Sequence, residues 1–303
     1  MKTEEYILVE NTDIDLDKIT IPDYTEDEMN VIKKLLEFTR HFQEINQLYD
    51  VFNVNLHDIL IHYVLNANDT ICRKTFFNED DLIVINALII NYISSAKTLV
   101  ESIEIFLKQN LGERFLNDFK DNCISLIYDK YFSYRLLIRL RDYAQHGHLP
   151  VYINDNKCCF DLNQILNTPH YNHNKKIKNE IDKISEDIEN KFRNNPRIVF
   201  TRSIAEFQIC ILEIYLKFID QIRETALEIV ENFKNLLKNR PEIIYKSGDI
   251  LNGFIIFFME DSDLHVLNPN DDSIKMIDDI RFKIKKRLSE ERKEFKKIFK
   301  KGR

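Results

Sequence analysis

Residues 79–109 read EDDLIVINALIINYISSAKTLVESIEIFLKQ, a stretch without glycine or proline that is long enough for about eight helical turns. Asn78 is a good N-cap, and the acids at 79–81 complement the helix dipole. The stretch therefore predicts one long helix. The whole chain of 303 residues has only 5 glycines and 6 prolines, the residues on which turns and hairpins rely. This composition predicts an all-α fold.

The pattern of apolar residues predicts further helices on both sides of this stretch. They cover residues 25–49, 55–67, 115–145, 175–194, 200–239 and a stretch from 274 onward. Thr25 and Glu28 have the spacing of a capping box at the start of the first of them. Residues 149–161 predict a small β-hairpin insertion around Asp155-Asn156. Residues 242–267 fit a strand or a buried helix equally well.

The charge of the chain is unevenly distributed. The net charge is −7, yet residues 281–303 hold twelve Lys or Arg against three Glu, a net +9. Residues 1–30 carry a net −8. We therefore predict an acidic arm over 1–24, a helical domain over 25–240 and an extension over 241–303 that ends in a basic helix. Opposite charges at the two ends of the chain favour a contact between these ends, either within one chain or between two subunits. A basic tail can also attract nucleic acid. The simplest interpretation of the tail is a helix face exposed to solvent.

Cysteine usage and hydropathy indicate the compartment. The five cysteines, at 72, 123, 158, 159 and 210, form no CxxC pair, and the start of the chain is acidic. Both features favour a reducing cytoplasm. The longest apolar run, Leu82 to Ile93, is interrupted by Asn86 and Asn91 and is too short to span a bilayer. We expect a cytoplasmic protein that makes no use of a membrane.

The densest polar cluster in an apolar setting is RLRDYAQHGH, residues 139–148, where a helix is predicted to end. Histidine is the side chain whose ordinary pKa suits proton transfer near neutral pH. Arginine is suited to bidentate contact with phosphate. His146 and Arg141 are therefore candidate catalytic residues for attack of a ribose 2′-OH on phosphate. Asp142, four residues before His146, lies on the same helix face and is placed to orient the imidazole.

The spacing of this cluster poses a geometric problem. On a regular helix Arg141 and His146 point about 140° apart, whereas Arg139, Asp142 and His146 share a face. Either the helix unwinds before His146, as Gly147 suggests, or a partner subunit supplies the complementary group. If neither holds, Arg139 is the better candidate for phosphate contact.

The segments RDYAQH (141–146) and NYISSA (91–96) together resemble the HEPN superfamily, whose motif is Arg, usually a polar residue, three further residues and His. Arg141, Asp142 and His146 match those positions, and the resemblance covers roughly residues 80–240. It implies a helical bundle that dimerises and brings two Arg/His sets into one cleft. Many members are metal-independent ribonucleases that act as toxins or in abortive infection, an antiviral defence. Others are catalytically silent modules that bind a protein or a nucleotide.

For this chain the resemblance implies cleavage of RNA, tRNA among the candidates, to 2′,3′-cyclic phosphate ends without a cofactor. An antitoxin or a trigger protein would be a further partner.

Small and polar residues form one stripe on the 79–109 helix: Ala87, Asn91, Ser94, Ser95, Thr98, Glu101 and Ser102. The stripe fits a tight helix seam or the back of a polar cleft equally well. In the second case Asn91 and Ser95 support the site.

Simpler interpretations remain for the same residues. His146 can cap helix carbonyls, and Arg141 can form a surface ion pair. His170 and His173 beside Cys158 and Cys159 match no standard zinc spacing, so we predict a polar loop and no metal there. The chain has neither a phosphate-binding glycine loop nor a Gly-x-Ser-x-Gly elbow.

Overall fold

The computed structural model describes residues 23–68, 79–154, 157–161, 197–241, 244–246, 254–260, 263–267 and 273–299. Its α-helices are α1 (Glu26–Asn68), α2 (Glu79–Asn110), α3 (Glu113–Phe119), α4 (Ser125–Lys130), α5 (Phe132–Gln145), α6 (Phe200–Asn239) and α7 (Ser273–Phe299). A short π-helix, Lys120–Ile124, joins α3 to α4. Most described residues are therefore helical, which confirms the predicted fold class.

Two small antiparallel sheets accompany the helices. The first contains β1 (Tyr152–Asn154), β2 (Lys157–Asp161) and β3 (Arg197–Val199) in that order. The pairing of β1 with β2 confirms the predicted hairpin, although its turn at 155–156 lies outside the described residues. The second contains β4 (Ile244–Lys246), β5 (Phe254–Glu260) and β6 (Asp263–Leu267). The segment left open between strand and helix therefore forms strands.

Helix α1 is continuous, so the predicted break between residues 49 and 55 is wrong. The asparagines in this stretch are accommodated within the helix. The Asn55 amide donates to the Val51 carbonyl at 3.0 Å, and Asn53 Oδ1 accepts from Arg287 at 2.7 Å. At the start of α1 the capping box is confirmed, because Thr25 and Glu28 exchange hydrogen bonds of 2.9 and 3.3 Å.

The single helix predicted over 115–145 is also wrong, because the chain becomes extended at Tyr131 (φ −108°, ψ 112°). No glycine or proline causes this break. Instead the guanidinium group of Arg135, which is buried, donates to the carbonyls of Tyr128 and Asp129 at the end of α4. These carbonyls lack helical partners, and Arg135 supplies the missing donors. The helix predicted over 175–194 and the Asn78 cap lie outside the described residues.

The chain divides into two compact units, one of residues 1–41 and 221–280 and the other of residues 42–220 and 281–303. In the first unit, Arg240 binds Glu28 at 2.8 Å and Arg223 binds Asp278 at 2.7 Å. Its buried apolar side chains include Ile32, Leu35, Phe38, Ile222, Ala226, Ile229, Phe233, Leu236 and Ile277. These contacts hold the start of α1 and the start of α7 to α6. The predicted domain limits at 24 and 240 stay predictions.

The second unit has an aromatic core. Tyr49 stacks on Tyr215 with ring centroids 4.3 Å apart, and Phe52 stacks on Tyr92 at 4.9 Å. The ring of Tyr92 also meets the edge of Phe207 at 5.6 Å. These pairs connect α1, α2 and α6, so the core lies where the three helices meet. The candidate site is built on two elements packed at this core, α2 and α5.

Within the part of the chain that the structure describes, one helix is long and apolar enough to cross a membrane, over Asp80–Asn110. This helix also has the burial pattern of a core helix. Ile85, Ile89 and Ile93 on one side are fully buried, whereas Ile83 and Asn91 are exposed. Length and apolar composition are typical both of a membrane span and of the core helix of a soluble protein.

Candidate functional site

Helix α5, which carries the predicted catalytic arginine, is anchored at its start by a carboxylate from α6. The backbone N–H and the hydroxyl of Ser133 both donate to Glu206, at 3.3 and 2.6 Å. A carboxylate at a helix N-terminus satisfies donors that have no partner within the helix and complements its dipole. The first turn of α5 is therefore fixed to the core.

The end of α5 follows from its last residues. The regular helix ends at Gln145, and His146 has non-helical dihedral angles (φ −90°, ψ 16°). Gly147 follows at φ 87°, a conformation that favours glycine. The N–H groups of His146 and Gly147 donate to the carbonyls of Tyr143 and Ala144 at 3.2 and 3.0 Å. The regular helix therefore ends before His146, as one solution of the geometric problem predicted.

Four charged side chains meet on the last turns of α5, and we call them the Asp142 cluster: Lys97, Arg139, Arg141 and Asp142. The Asp142 carboxylate lies 3.7 Å from Arg139 Nη1 and 3.5 Å from Arg141 Nη1. Lys97 Nζ, from α2, lies 3.5 Å from the same carboxylate. All four side chains are only 24–28% exposed, so water screens their charges less than it would on an open surface.

Positive charge exceeds negative charge in the Asp142 cluster. The Glu101 carboxylate lies 3.9 Å from Lys97 and is more than half exposed. The Nε atom of Arg141 is buried and has no hydrogen-bond partner among the residues that the structure describes. A buried donor without a partner is uncommon in proteins. Chemically, the arrangement can receive an oxyanion such as phosphate.

The structure places the candidate catalytic residues in different surroundings. Arg141 is mostly shielded, whereas the His146 side chain is exposed directly after the helix end. His148 is a residue that the sequence did not single out. Its ring stacks on Tyr143 at 4.8 Å, and the Tyr143 hydroxyl lies 3.0 Å from that of Tyr152 on β1. The segment after α5 is thereby packed against the helix and the first sheet.

The predicted supporting residues on α2 are not brought into the Asp142 cluster. The Ser95 hydroxyl donates to the Tyr92 carbonyl of its own helix at 2.9 Å. Asn91 is exposed, as are Ala87 and Thr98 in the same stripe. Among the described residues, the stripe therefore forms no tight seam with another helix. Lys97 is the α2 residue that reaches α5, and the sequence held no signal for it beyond its position in the predicted partner helix.

A buried amide positions the segment that follows His148. Asn86 on α2 is 1% exposed and bonds both backbone groups of Val151, whose N–H donates to Oδ1 at 2.9 Å. Its Nδ2 donates to the Val151 carbonyl at 3.0 Å and to the Leu82 carbonyl at 2.9 Å. Sequence reasoning noted Asn86 only as an interruption of the apolar run. The available signal for its role was that a polar residue interrupts a run of apolar ones.

The described residues contain no group of three or more His, Cys, Asp or Glu side chains placed to hold a metal ion. Cys158 and Cys159 are buried on β2, and burial raises the pKa of the Cys158 thiol to about 12. His170 and His173 lie outside the described residues. The prediction of no metal at this place is therefore untested.

Comparison with known proteins gives no relative for this arrangement. No family model matches the chain, and no curated protein or solved structure matches it significantly.

Proposed function

We propose that this chain is a metal-independent endoribonuclease of HEPN type that acts in the cytoplasm. One observation carries the proposal: the Asp142 cluster gathers three cations, two from the last turns of α5 and one from α2, and an exposed histidine follows where α5 ends. Cations in a partly shielded site stabilise a phosphorane more strongly than cations in open water. In this proposal the exposed histidine that follows the end of the helix supplies proton transfer.

In the proposed reaction the ribose 2′-OH attacks the adjacent phosphate and the 5′-oxygen of the next nucleotide leaves. The proton of the 2′-OH passes to a base, and the leaving oxygen takes a proton from an acid. His146 serves as one of these groups, and Arg141 binds the negative charge that develops on phosphate. These bond and proton transfers require no metal ion, and the products are a 2′,3′-cyclic phosphate and a 5′-hydroxyl.

The surroundings of Asp142 alter the role that the sequence suggested for it. Its partners in the cluster are Lys97, Arg139 and Arg141. The contacts therefore support a role in holding the cations in place, in preference to orienting the imidazole. Phosphate would replace the carboxylate as the partner of Arg141. Arg139, on the same carboxylate, is the second candidate for phosphate contact.

The remaining parts of the proposal rest on the resemblance. They are a homodimer that completes the cleft, tRNA among the RNA substrates, a toxin or antiviral role in abortive infection, and an antitoxin or trigger protein that controls activity. One observation favours the alternative, a silent HEPN-like module that binds a protein or a nucleotide. Both arginines already face Asp142, so RNA has to compete with an existing ion pair.

The deciding experiment incubates purified protein with total RNA and with tRNA in EDTA. We expect cleavage that leaves 2′,3′-cyclic phosphate ends. Loss of a proton-transfer residue typically costs about 10²–10⁴-fold in rate, so His146→Ala should fall by that factor. Arg141→Ala should lose about 10²-fold or more, because it removes charge stabilisation in the transition state.

Matched controls are available in the same unit. His57 and Arg114 are exposed on α1 and α3, so His57→Ala and Arg114→Ala should cleave RNA like the wild type. Circular dichroism would show that all four variants fold. If the wild type is inert on every RNA while it binds nucleotide or protein, the silent module becomes the better assignment. Equal cleavage by His146→Ala would reject the catalytic role of that residue.

A further inference from the structure

Helix α7 uses its arginines and its apolar residues for contacts within the second unit. Arg281 pairs with Asp220 and Arg292 pairs with Glu213, both on α6. Arg287 donates to Asn53 at 2.7 Å and to the Tyr49 hydroxyl at 3.1 Å, both on α1. The apolar side chains Ile284 and Leu288 are 4% and 5% exposed. One side of α7 therefore packs against the rest of the second unit.

The lysines of α7 behave differently from its arginines. We define the lysine face as Phe282, Lys283, Lys285, Lys286, Lys293 and Lys296, all of which are exposed. These lysines form no ion pair with any residue that the structure describes. Phe282 is 69% exposed, the highest value among the large apolar side chains described. The face therefore combines unpaired positive charge with an aromatic ring that is largely exposed.

Four members of the lysine face form a stripe along α7. At about 100° per residue, Phe282, Lys286 and Lys293 lie within about 40° of one line along α7, and Lys296 borders it. From Phe282 to Lys296 the stripe is about 21 Å long, at about 1.5 Å per residue. Glu290 and Glu294 are the acids exposed along this length, so the stripe stays positive. A flexible polyanion is its complement in charge and shape.

We propose that the lysine face binds single-stranded RNA, with the lysines on successive phosphates and Phe282 stacked on a base. Single-strand binding commonly pairs a positive track with aromatic rings, because every base has a face on which a ring can stack. This surface is separate from the residues assigned to cleavage. The proposal goes beyond the proposed function and does not depend on chemistry at His146.

An anionic membrane is the competing polyanion, and the burial of α7 argues against it. A helix that lies on a membrane inserts its apolar stripe into the lipid. In α7 that stripe is turned into the molecule, as Ile284 and Leu288 show. Phe282 alone is left to insert, which is too little apolar surface for stable membrane binding. Stacking on a base needs only one ring.

The test measures fluorescence anisotropy of the full chain with a labelled 2′-O-methyl RNA single strand of mixed sequence. The 2′-O-methyl group removes the attacking hydroxyl, so binding is separated from cleavage. We expect Phe282→Ala to weaken binding about tenfold, the typical effect of losing one base–aromatic stack. We expect Lys286→Gln/Lys293→Gln to reduce the slope of log affinity against log salt by about 1.4, at about 0.7 per phosphate contact.

Lys234→Gln/Lys238→Gln is the matched control, since both lysines are exposed on a helix, α6, and outside the lysine face. It should leave the salt slope almost unchanged. Thermal melting should be similar for all variants, because every substituted side chain is exposed. No binding by the wild type, or equal loss in the control pair, would overturn the proposal. Phe282-dependent binding to phosphatidylserine vesicles but not to the oligonucleotide would assign the face to a membrane instead.

Discussion

Asn86 and Arg135 show how single buried polar side chains determine where elements end in the second unit. Asn86 bonds both backbone groups of Val151, which precedes β1. Arg135 bonds two carbonyls that α4 leaves without partners. Backbone groups buried without partners are costly, so a side chain that satisfies two of them determines the path of the chain. The segment that carries His146 and His148 owes its position to this kind of contact.

At this scale we predict that Asn86→Ala strongly destabilises the protein. The substitution leaves the N–H and C=O groups of Val151 buried without partners, at about 1–3 kcal/mol each. We therefore expect urea denaturation to show a loss of about 3 kcal/mol in the free energy of unfolding. Asn91→Ala, an exposed position on the same helix, should change it by less than about 0.5 kcal/mol. Equal effects would contradict the role of Asn86.

At the scale of elements, the start of α1 is joined to the end of α6 in the first unit. Glu28 accepts from the Thr25 backbone and from Arg240, whose guanidinium lies 2.8 Å away. The Thr25 hydrogen bond, with a smaller contribution from Arg240, lowers the pKa of the Glu28 carboxyl below its ordinary value of 4.5. The ionised form is therefore the one that the folded state binds.

This lowered pKa predicts a pH-dependent contribution to stability. A carboxyl whose pKa is lower in the folded state stabilises the fold above its unfolded pKa, and loses that effect as the pH falls through the folded pKa. Glu28→Gln keeps an acceptor for Thr25 but removes the charge. Wild type should therefore be more stable than this variant above about pH 4.5, and the difference should shrink below that value. The comparison uses thermal melts across the pH range.

Glu26→Gln, an exposed change in the same helical turn, provides the control for this series. It should show a smaller difference from wild type at every pH. A Glu28→Gln effect that stays constant down to strongly acidic pH would mean that the ion pair with Arg240 is not its cause.

The limits of α2, α6 and α7 could be read from the sequence because long amphipathic stretches have strong periodicity. The break at Tyr131 could not, because its cause is a hydrogen bond from Arg135 and not a local chain-breaker. The continuity of α1 could not be predicted from the sequence for a similar reason. Asn53 and Asn55, which lie at the predicted break, have partners, one within the helix and one on α7. Side-chain hydrogen bonds to the backbone of nearby residues, and in one case to a distant helix, therefore decided where these helices end.

The same limit applies to the candidate site. The contact of Arg139 with Asp142 follows from their spacing of three residues on one helix, and the end of the helix before His146 follows from Gly147. The position of Lys97 depends on how α2 packs against α5, which no pattern within either segment encodes. Ser95 was expected near the site because of its helix face, but its hydroxyl bonds its own backbone.

At the scale of the whole molecule, the thiols of the four cysteines that the structure describes are kept away from solvent. Cys123, Cys158, Cys159 and Cys210 are buried and are not joined in disulfides. Burial raises the pKa of the Cys123 and Cys158 thiols to about 12. Thiolate is the reactive form of cysteine, so these side chains should be inert in the folded protein.

We therefore expect iodoacetamide at about pH 8, near the ordinary pKa of cysteine, to leave Cys123 and Cys158 unmodified in the native protein. In concentrated urea both should be alkylated within the same time. Mass spectrometry of peptides would identify each position, with the denatured sample as the reference. Rapid alkylation of Cys158 without denaturant would mean that β2 opens readily and would contradict its observed burial.

Glu213 on α6 contacts two other elements at once. It accepts a hydrogen bond of 2.9 Å from the hydroxyl of Tyr131, the residue just before α5, and it also accepts one from Arg292 of α7. A chain that diverges from this one can replace Glu213 only by losing a partner in both places. We expect related sequences to keep these three residues together or to change them together. Insertions and exchanges should accumulate elsewhere on α7, so sequence variation itself would reveal which helix positions the second unit needs.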